Sequence, residues 1–227
     1  MLIKNAKVYT MTEDSGSIIE NGWILARDGR IEAAGDMRQL PGHEGEIIDA
    51  AGCIIMPGII DAHCHIGMDE DSLGFEGNDV NEMTDPVTPH LRAIDAVNPQ
   101  DRYFSEALAA GVTTVVTGPG SANPIGGRFI AMHTYGRRID SMVIKADVCM
   151  KFALGENPKR VYNSKGKMPM TRMATAGMIR EWLGKAREYA GKKDSAVRDH
   201  DVDEPAYDIR LEALMPVVRK EMPAHFH

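Results

Sequence analysis

The 227-residue sequence has few cysteines, no long apolar run and no excess of basic residues. Its three cysteines, Cys53, Cys64 and Cys149, are too few and too odd in number for a disulfide framework, and each lies in an apolar stretch where a reduced thiol packs as a small hydrophobic group. No run of ~18 apolar residues occurs, and the first residues lack the apolar centre of a signal peptide. We therefore expect a reduced, cytoplasmic protein that does not interact with membranes.

The charge balance excludes one large class of partner. Lysine and arginine number 26 against 33 aspartates and glutamates, which gives a net charge of −7. Nucleic-acid binding needs a concentrated basic surface, so we expect a small-molecule substrate instead. With 43% hydrophobic and 26% charged residues, the chain has the composition of one large or two small packed domains.

The first part of the chain has the pattern of short β-strands. Residues 2–10 and 47–49 are β-prone, and residues 23–33 form two β-prone arms around Asp28-Gly29, a pair that favours a tight hairpin turn. A different character begins near residue 53. We predict a small β-domain over residues 1–56 and a second domain over residues 57–227.

The second part alternates between strands and helices. The apolar run at residues 53–63 predicts a strand buried on both faces, and residues 67–97 read as a long loop. A helix is predicted from Asn98-Pro99 to Gly111, followed by a strand at residues 112–116. A strand, a helix and a strand in this order predict a parallel pair joined by a right-handed crossover.

Beyond that unit the signals are weaker. We predict a loop at residues 118–127, one strand within residues 142–152, and an amphipathic helix from residue 173 to Gly191. Residues 192–204 read as a charged loop. A further helix around residues 211–218 should be kinked or broken by Pro216, and residues 222–227 begin another strand.

The strongest chemical signal is the segment Asp61-Ala62-His63-Cys64-His65. On a strand, side chains two residues apart share a face, so both imidazoles point the same way. Two such imidazoles can bind one zinc ion or another first-row divalent metal. Asp61 shares that face and is a candidate to orient an imidazole from outside the ligand set, although it also fits a simple strand-end contact.

In its wider context, the segment Pro57-Gly58-Ile59-Ile60-Asp61-Ala62-His63-Cys64-His65 resembles the signature of the amidohydrolase superfamily. The preceding hairpin and residues 48–52 resemble its small N-terminal domain, and residues 111–115 resemble its second barrel strand. Imidazolonepropionase-related and prolidase-like members are the most similar. The resemblance implies an α/β fold, a (β/α)₈ barrel with a small N-terminal β-sandwich domain, and metal-dependent hydrolysis of a C–N bond in an amide or cyclic amide.

The resemblance also implies a set of metal ligands. His63 and His65 would come from the first strand, and Lys151 matches a lysine that many members carry in carbamylated form between two metals. Glu156 is the alternative to Lys151, because some members use a glutamate and one metal. From the fifth strand we prefer His227, with His225 as the alternative. One or two zinc ions are expected, with manganese or iron as alternatives.

One loop and the remaining histidines lie outside the predicted ligand set. The loop at residues 118–127 would border the site, and Asn123 and Gly126 are its candidate substrate-contacting residues, although ordinary turn chemistry explains the loop equally well. The remaining histidines lie in polar or turn-rich segments and are predicted to be surface residues without a role: His43, His90, His133 and His200.

The sequence is short for the fold it resembles. A complete barrel takes about 250 residues, whereas residues 58–227 supply 170. A further histidine ligand and the general-base aspartate would lie beyond the last residue, so no catalytic residue is assigned. An open fifth strand would leave an unpaired edge, and we expect a fragment that is unstable alone or forms a homo-oligomer. Both a hydrolase and a non-catalytic scaffold or inactive fragment remain open.

Overall fold

The computed structural model describes residues 1–13, 18–71 and 73–227. The chain divides into two compact units, Met1–Gly58 and Ile59–His227. Together they contain parallel and antiparallel strands and helices, a mixed α/β structure. Within the described residues, no helix is both long enough and apolar enough to cross a bilayer.

The first unit contains one five-stranded sheet. Its strands are β1 (Leu2–Tyr9), β2 (Ile18–Arg27), β3 (Arg30–Asp36), β4 (Ile47–Asp49) and β5 (Ile54–Ile55). The order is β3-β2-β1-β4, and β5 also pairs with β1. The predicted hairpin is confirmed, because Asp28 and Gly29 adopt φ angles of 51° and 73° between β2 and β3. Cys53, expected to pack in an apolar setting, is exposed.

The first half of the second unit forms a four-stranded sheet in the order β10-β9-β7-β6. Strands β6 and β7 are parallel, as the strand, helix and strand pattern predicts. The elements, in chain order, are β6 (Ile59–Cys64), α1 (Arg102–Ala109), β7 (Val112–Thr117), β8 (Ile125–Arg128), β9 (Ile130–His133), α2 (Ile139–Met142) and β10 (Val143–Lys145).

The second half of this unit contains most of its helices and a three-stranded sheet in the order β12-β11-β8. Strand β12 is parallel to β11, whereas β8 is antiparallel to it. Helices α4 and α5 pack on the apolar side chains of β11, with Ile179 and Leu214 in the core. The elements are β11 (Met150–Phe152), α3 (Glu156–Asn163), α4 (Arg172–Arg198), α5 (Ile209–Val218) and β12 (Ala224–Phe226).

Strand β6 is not buried on both faces, contrary to the prediction. Ile59 and Ile60 are 48% and 66% exposed. The strand lies at the edge of its sheet, and β7 is its one neighbour there among the described residues. An apolar run predicts a strand but does not specify how many neighbours the strand will have.

Three helix boundaries also differ from the predictions. Helix α1 begins at Arg102 because the Asp101 carboxylate accepts the backbone N–H of Tyr103, three residues after the predicted start. Helix α4 passes through Gly191 and ends at Arg198, so residues 192–198 are helical and not a loop. Helix α5 continues through Pro216 to Val218 without a break.

Short elements account for the remaining differences. The predicted loop at residues 118–127 ends in β8, and residues 142–152 contain two strands, β10 and β11, in place of one. Strand β9 and helices α2 and α3 were not predicted. None of these elements exceeds eight residues, which is too short for hydrophobic periodicity to define.

Candidate metal centre

Four histidines from two separate strands lie together. We refer to His63, His65, His225 and His227 as the imidazole cluster. The ring centroid of His63 lies 5.3 Å from that of His65, 4.6 Å from that of His225 and 5.7 Å from that of His227. His63 belongs to β6 and His225 to β12, and each is followed two residues later by the second histidine of its pair.

Lys151 joins the cluster from β11. It pairs in register with His225 on the neighbouring parallel strand and is fully buried. Its Nζ atom lies 3.0 Å from Nε2 of His63. Burial lowers the pKa of Lys151 to about 8. Burial, with Lys151 as the next contributor, lowers the pKa of His63 to about 4, and the pKa of His225 is lowered for the same two reasons.

Phe129 packs against the cluster and was missed by the sequence analysis. Its side chain is 1% exposed, and its ring centroid lies 5.5 Å from those of His63 and His225. The Lys151 ammonium lies 5.3 Å from the same centroid. This apolar ring helps to bury the Lys151 amine, whereas the rings of His63 and His225 stay partly exposed and His227 is exposed. A single phenylalanine between two short strands carries no periodic signal that could have identified it.

The imidazole of His65 is oriented by the backbone of Gly118. Its Nδ1 atom lies 2.7 Å from the Gly118 carbonyl oxygen, which can only accept, so Nδ1 carries a proton and the lone pair of the neutral ring is on Nε2. A Cβ at residue 118 would lie 2.4 Å from the Phe129 ring. Only glycine allows this carbonyl to approach His65 beside that ring.

The donors present have the chemistry that a divalent metal requires. Zinc binds neutral imidazole nitrogens, and the lowered pKa values favour neutral nitrogens here. The rings lie around His63, which contacts Lys151, and they do not converge on one point. Across residues 1–13, 18–71 and 73–227, no three or more His, Cys, Asp or Glu side chains form a group ready to hold an ion. The donor types fit a metal, and binding one would need these side chains to turn toward a common point.

The two candidate carboxylates lie outside these contacts. Asp61 accepts the backbone N–H of His63 at 3.1 Å, a local contact at the strand end and not one with an imidazole ring. The Glu156 side chain is 64% exposed at the start of α3, where it pairs with Arg172 and Lys159. Glu156 and His227 line the same shallow cavity. Of the two alternative donors, Lys151 is the one that contacts His63.

Asn123 and Gly126, the candidate substrate-contacting residues, border one cavity, and the imidazole cluster does not line it. The cavity has a volume of about 190 Å³. Asn123 is buried and its amide is hydrogen-bonded to other parts of the protein, including the Tyr162 hydroxyl. Gly126 faces the Lys151 side chain, since a Cβ at residue 126 would lie 3.1 Å from Lys151 Cβ.

The other histidines differ in exposure. His133 and His200 are exposed, as predicted. His43 and His90 are partly exposed, and each has one ring nitrogen that is buried without a hydrogen-bond partner among the described residues. The prediction of surface positions is confirmed for His133 and His200 and holds only in part for His43 and His90.

Comparisons with known proteins point in one direction. No protein-family model matches the chain. Over 189 residues, 78% of this chain and 19% of the other protein, the sequence is 34% identical to amidohydrolase tasK of Hapsidospora irregularis. A crystal structure of an amidohydrolase from Thermotoga maritima superposes with a TM-score of 0.90 and 38% identity, covering 100% of this chain and 57% of that chain. The chain belongs to the amidohydrolase superfamily.

Two further relatives match shorter parts of the chain. The imidazolonepropionase of Acidiphilium cryptum is 38% identical over 131 residues, covering 50% of this chain and 33% of that protein. The 5-methylthioadenosine/S-adenosylhomocysteine deaminase of Symbiobacterium thermophilum is 41% identical over 121 residues, 50% of this chain and 27% of that protein. The chain thus spans about a fifth to a third of the length of these curated relatives and 57% of the length of the solved structure.

Proposed function

We propose that this chain carries the metal centre of a hydrolase that cleaves the C–N bond of an amide or cyclic amide with metal-activated water. The observation that carries the proposal is the meeting of His63, Lys151 and His225 from three separate strands, with His65 beside them. The names of the relatives, which include amidohydrolase and deaminase, support this reaction class.

We further propose that the second unit is the N-terminal part of a (β/α)₈ barrel and the first unit part of a small β-sandwich domain, with the division near residues 56–57. The parallel pairs β6–β7 and β11–β12 support this, as does the superposition on a solved amidohydrolase. In such barrels the site lies at the carboxyl ends of the strands, which is where His65 and His227 follow β6 and β12.

Each donor has a stated role in this proposal. A bound divalent ion, zinc first and manganese or iron as alternatives, lowers the pKa of water towards ~7 and polarises a carbonyl oxygen. His65 presents Nε2, because Gly118 holds its Nδ1 proton. Lys151 supplies a nitrogen whose neutral form is accessible near pH 8. We place His225 before His227, since its ring lies nearer to His63.

The substrate in this proposal is a small molecule. The cavity of about 190 Å³ beside Gly126 suits a compact group and not a polymer segment. No residue of this chain is assigned as the general base.

Zinc binding tests the proposal. We expect the purified chain to bind one or two zinc ions in competition with a chromophoric chelator, and His63→Ala to weaken binding at least about tenfold, as loss of a ligand should. The matched control is His133→Ala, since His133 is exposed on β9. A wild-type chain without zinc affinity, or equal affinity in His63→Ala, would contradict the proposal.

A second measurement separates the hydrolase from a non-catalytic scaffold. The zinc-loaded chain is incubated with a library of linear and cyclic amides, and release of amine or carboxylate is followed. Turnover that is lost in His63→Ala supports the hydrolase. Tight zinc binding without turnover of any amide would favour the non-catalytic scaffold or an inactive fragment, since no residue of this chain is assigned as the general base.

A further inference from the structure

We propose that Tyr162 is a positioning residue for the metal centre: its hydroxyl holds Asn123 and thereby fixes the loop of residues 118–124 against the predicted metal donors. This inference rests on the proposed function. The loop connects β7 to β8, and Tyr162 lies on α3, outside both strands. Tyr162 acts through the loop, because its hydroxyl bonds to Asn123 and to the Asp85 carbonyl and, among the described residues, to none of the cluster histidines.

The loop contacts one predicted donor at its start, and strand β8, which begins directly after the loop, packs on another. At its start, the Gly118 carbonyl accepts the Nδ1 proton of His65 at 2.7 Å. Just after its end, Gly126 packs so closely on Lys151 that a Cβ at residue 126 would lie 3.1 Å from Lys151 Cβ. A displacement of this loop would therefore change the orientation of His65 and the packing of Lys151 together.

Asn123 is the buried polar residue of this loop. Its side chain is 4% exposed, and its Nδ2 atom donates to the Glu82 carbonyl at 2.8 Å and to the Thr88 hydroxyl at 2.9 Å. Its Oδ1 atom accepts from the Tyr162 hydroxyl at 2.6 Å. Both ends of the amide are thus satisfied inside the protein, which fixes its orientation.

The Tyr162 hydroxyl is a committed donor. Tyr162 is fully buried, and its oxygen lies 2.6 Å from Asn123 Oδ1 and 2.8 Å from the Asp85 carbonyl oxygen, both of which accept. Burial raises the pKa of this hydroxyl, so it keeps its proton. The single O–H proton is shared by these two oxygens, and removing it would leave the buried Asn123 Oδ1 without its donor, which favours a shift of the loop.

Tyr162 provides the most deeply buried side-chain contact to the loop. Besides Tyr162 and the buried Thr88, two side chains hold the loop from more exposed positions: Asn81 accepts the backbone N–H of Ala122 at 3.0 Å, and Asn157 donates to the Ser121 hydroxyl at 2.6 Å. These contacts would keep the loop folded without Tyr162. We therefore expect a change in position and not unfolding, and groups that orient metal ligands from outside affect metal affinity by ~10–100-fold.

The test compares two single-hydroxyl deletions. Tyr162→Phe removes the proposed contact, and Tyr189→Phe removes a hydroxyl from another buried tyrosine, which donates to Glu212 at 2.7 Å on the far helices α4 and α5. Three quantities are measured for each: the zinc dissociation constant, the ¹⁵N chemical shifts of the His65 imidazole in the metal-free chain, and the thermal midpoint.

We expect Tyr162→Phe to weaken zinc binding by roughly three- to tenfold, less than the loss of a directly contacting group. It should also shift the His65 nitrogens toward mixed tautomers, since the Nδ1 contact with Gly118 is loosened. Tyr189→Phe should lower the thermal midpoint by a similar amount but leave zinc affinity within about twofold and His65 unchanged, because it lies in a separate contact network.

A second variant protects the test against misfolding. Asn123→Leu removes the amide while keeping a similar side-chain volume. The double variant that combines it with Tyr162→Phe should bind zinc no more weakly than Asn123→Leu alone, because both substitutions remove the same hydrogen bond. Independent, additive losses would overturn the proposal, and so would equal zinc affinities in the two tyrosine variants.

The outcomes separate this inference from the proposed function. If the wild-type chain binds no zinc, the proposed function fails, and the His65 resonances then decide the positioning role in the metal-free protein. If the wild type binds zinc but Tyr162→Phe leaves both affinity and His65 unchanged, the inference alone fails.

Discussion

The imidazole cluster and the outer surface of helix α4 place charged side chains in opposite settings. Lys151 is fully buried against His63 and Phe129, and burial lowers its pKa to about 8. On α4, Lys185 and Lys192 lie in solvent and pair with glutamates one turn earlier. Exposed pairs of this kind contribute ~0–1 kcal/mol each, whereas a buried amine changes its protonation to suit its surroundings.

In the cluster, the exact position of each side chain matters, whereas on the surface of α4 only the charged character of the residues matters. Each side chain in the cluster has a close neighbour that fixes it, so single changes there should have large and specific effects. On α4, changes of the same kind should be nearly neutral. Four experiments test this contrast. Three of them compare a variant at or beside the cluster with a control on α4, and the fourth compares two carboxylates on α5 and α4.

The largest effect is expected from Phe129→Ala. The ring is 1% exposed and packs on two imidazoles, so its loss should destabilise the fold by ~3–5 kcal/mol and open a cavity beside the donors. Met173→Ala on α4 is the control, since that side chain is 81% exposed and its removal should cost less than ~0.5 kcal/mol. Urea unfolding midpoints measure both; similar losses in the two variants would contradict the contrast.

Adding one methyl group should have opposite effects in the two regions. Gly118→Ala places a Cβ 2.4 Å from the Phe129 ring and should destabilise by ~1–3 kcal/mol. Gly177→Ala, inside α4 with no atom within 4 Å of the new Cβ, should stabilise by ~0.5–1 kcal/mol. Thermal unfolding gives both values, and a tolerated alanine at residue 118 would show that the loop is not fixed by the ring.

Replacing the buried amine should separate stability from metal binding. Lys151→Met keeps the length of the side chain and removes a buried polar group, so we expect a gain of ~1–2 kcal/mol together with loss of zinc affinity. Lys185→Met, at an exposed position of α4, should change neither by a measurable amount. Destabilisation by Lys151→Met would indicate that the amine is held by stronger contacts than those described.

The smallest effect concerns pH and the contact between α4 and α5. Hydrogen bonds from Lys193 and Tyr189 hold the pKa of Glu212 below its ordinary value of 4.5. A lowered folded pKa means that Glu212 stabilises the fold above pH 4.5 and loses this contribution as the pH falls through its folded pKa. The stability difference between wild type and Glu212→Gln should therefore shrink below about pH 4.5.

The control for this pH series is Glu181→Gln, whose carboxylate pairs with Lys185 on the exposed surface of α4. Its stability should follow the wild type across the same pH range. A constant difference between Glu212→Gln and wild type down to pH 3 would show that the hydrogen bonds, and not the charge, carry the contribution.

Local sequence patterns were sufficient where one short segment determines the structure. Asp28-Gly29 specified the hairpin because it tolerates positive φ angles. The two-residue spacing of His63 and His65 predicted that their rings lie together, and their centroids are 5.3 Å apart at the end of β6. The charged run at residues 192–198 led to the wrong prediction of a loop, since this run continues α4. Lys192 pairs there with Glu188, one turn earlier on the helix. Charge alone does not distinguish a solvated loop from a solvated helix face.

Contacts between distant segments could not be predicted from one sequence. Phe129, which lies between β8 and β9, packs on His63 of β6 and on His225 of β12. Tyr162 reaches Asn123 across 39 positions. Neither pairing leaves a periodic trace in its own segment. The exposure of β6 also depends on its neighbours in the sheet, which the apolar run itself does not encode.

Anomalous diffraction at the zinc absorption edge, from crystals of this chain grown with zinc, tests the central claim most directly. We predict a peak ~2.0–2.1 Å from imidazole nitrogens of His63 and His65, with Lys151 and His225 turned toward it. Well-ordered rings of His63 and His65 with no anomalous peak between them, at a zinc concentration that occupies an exposed histidine such as His133, would contradict it.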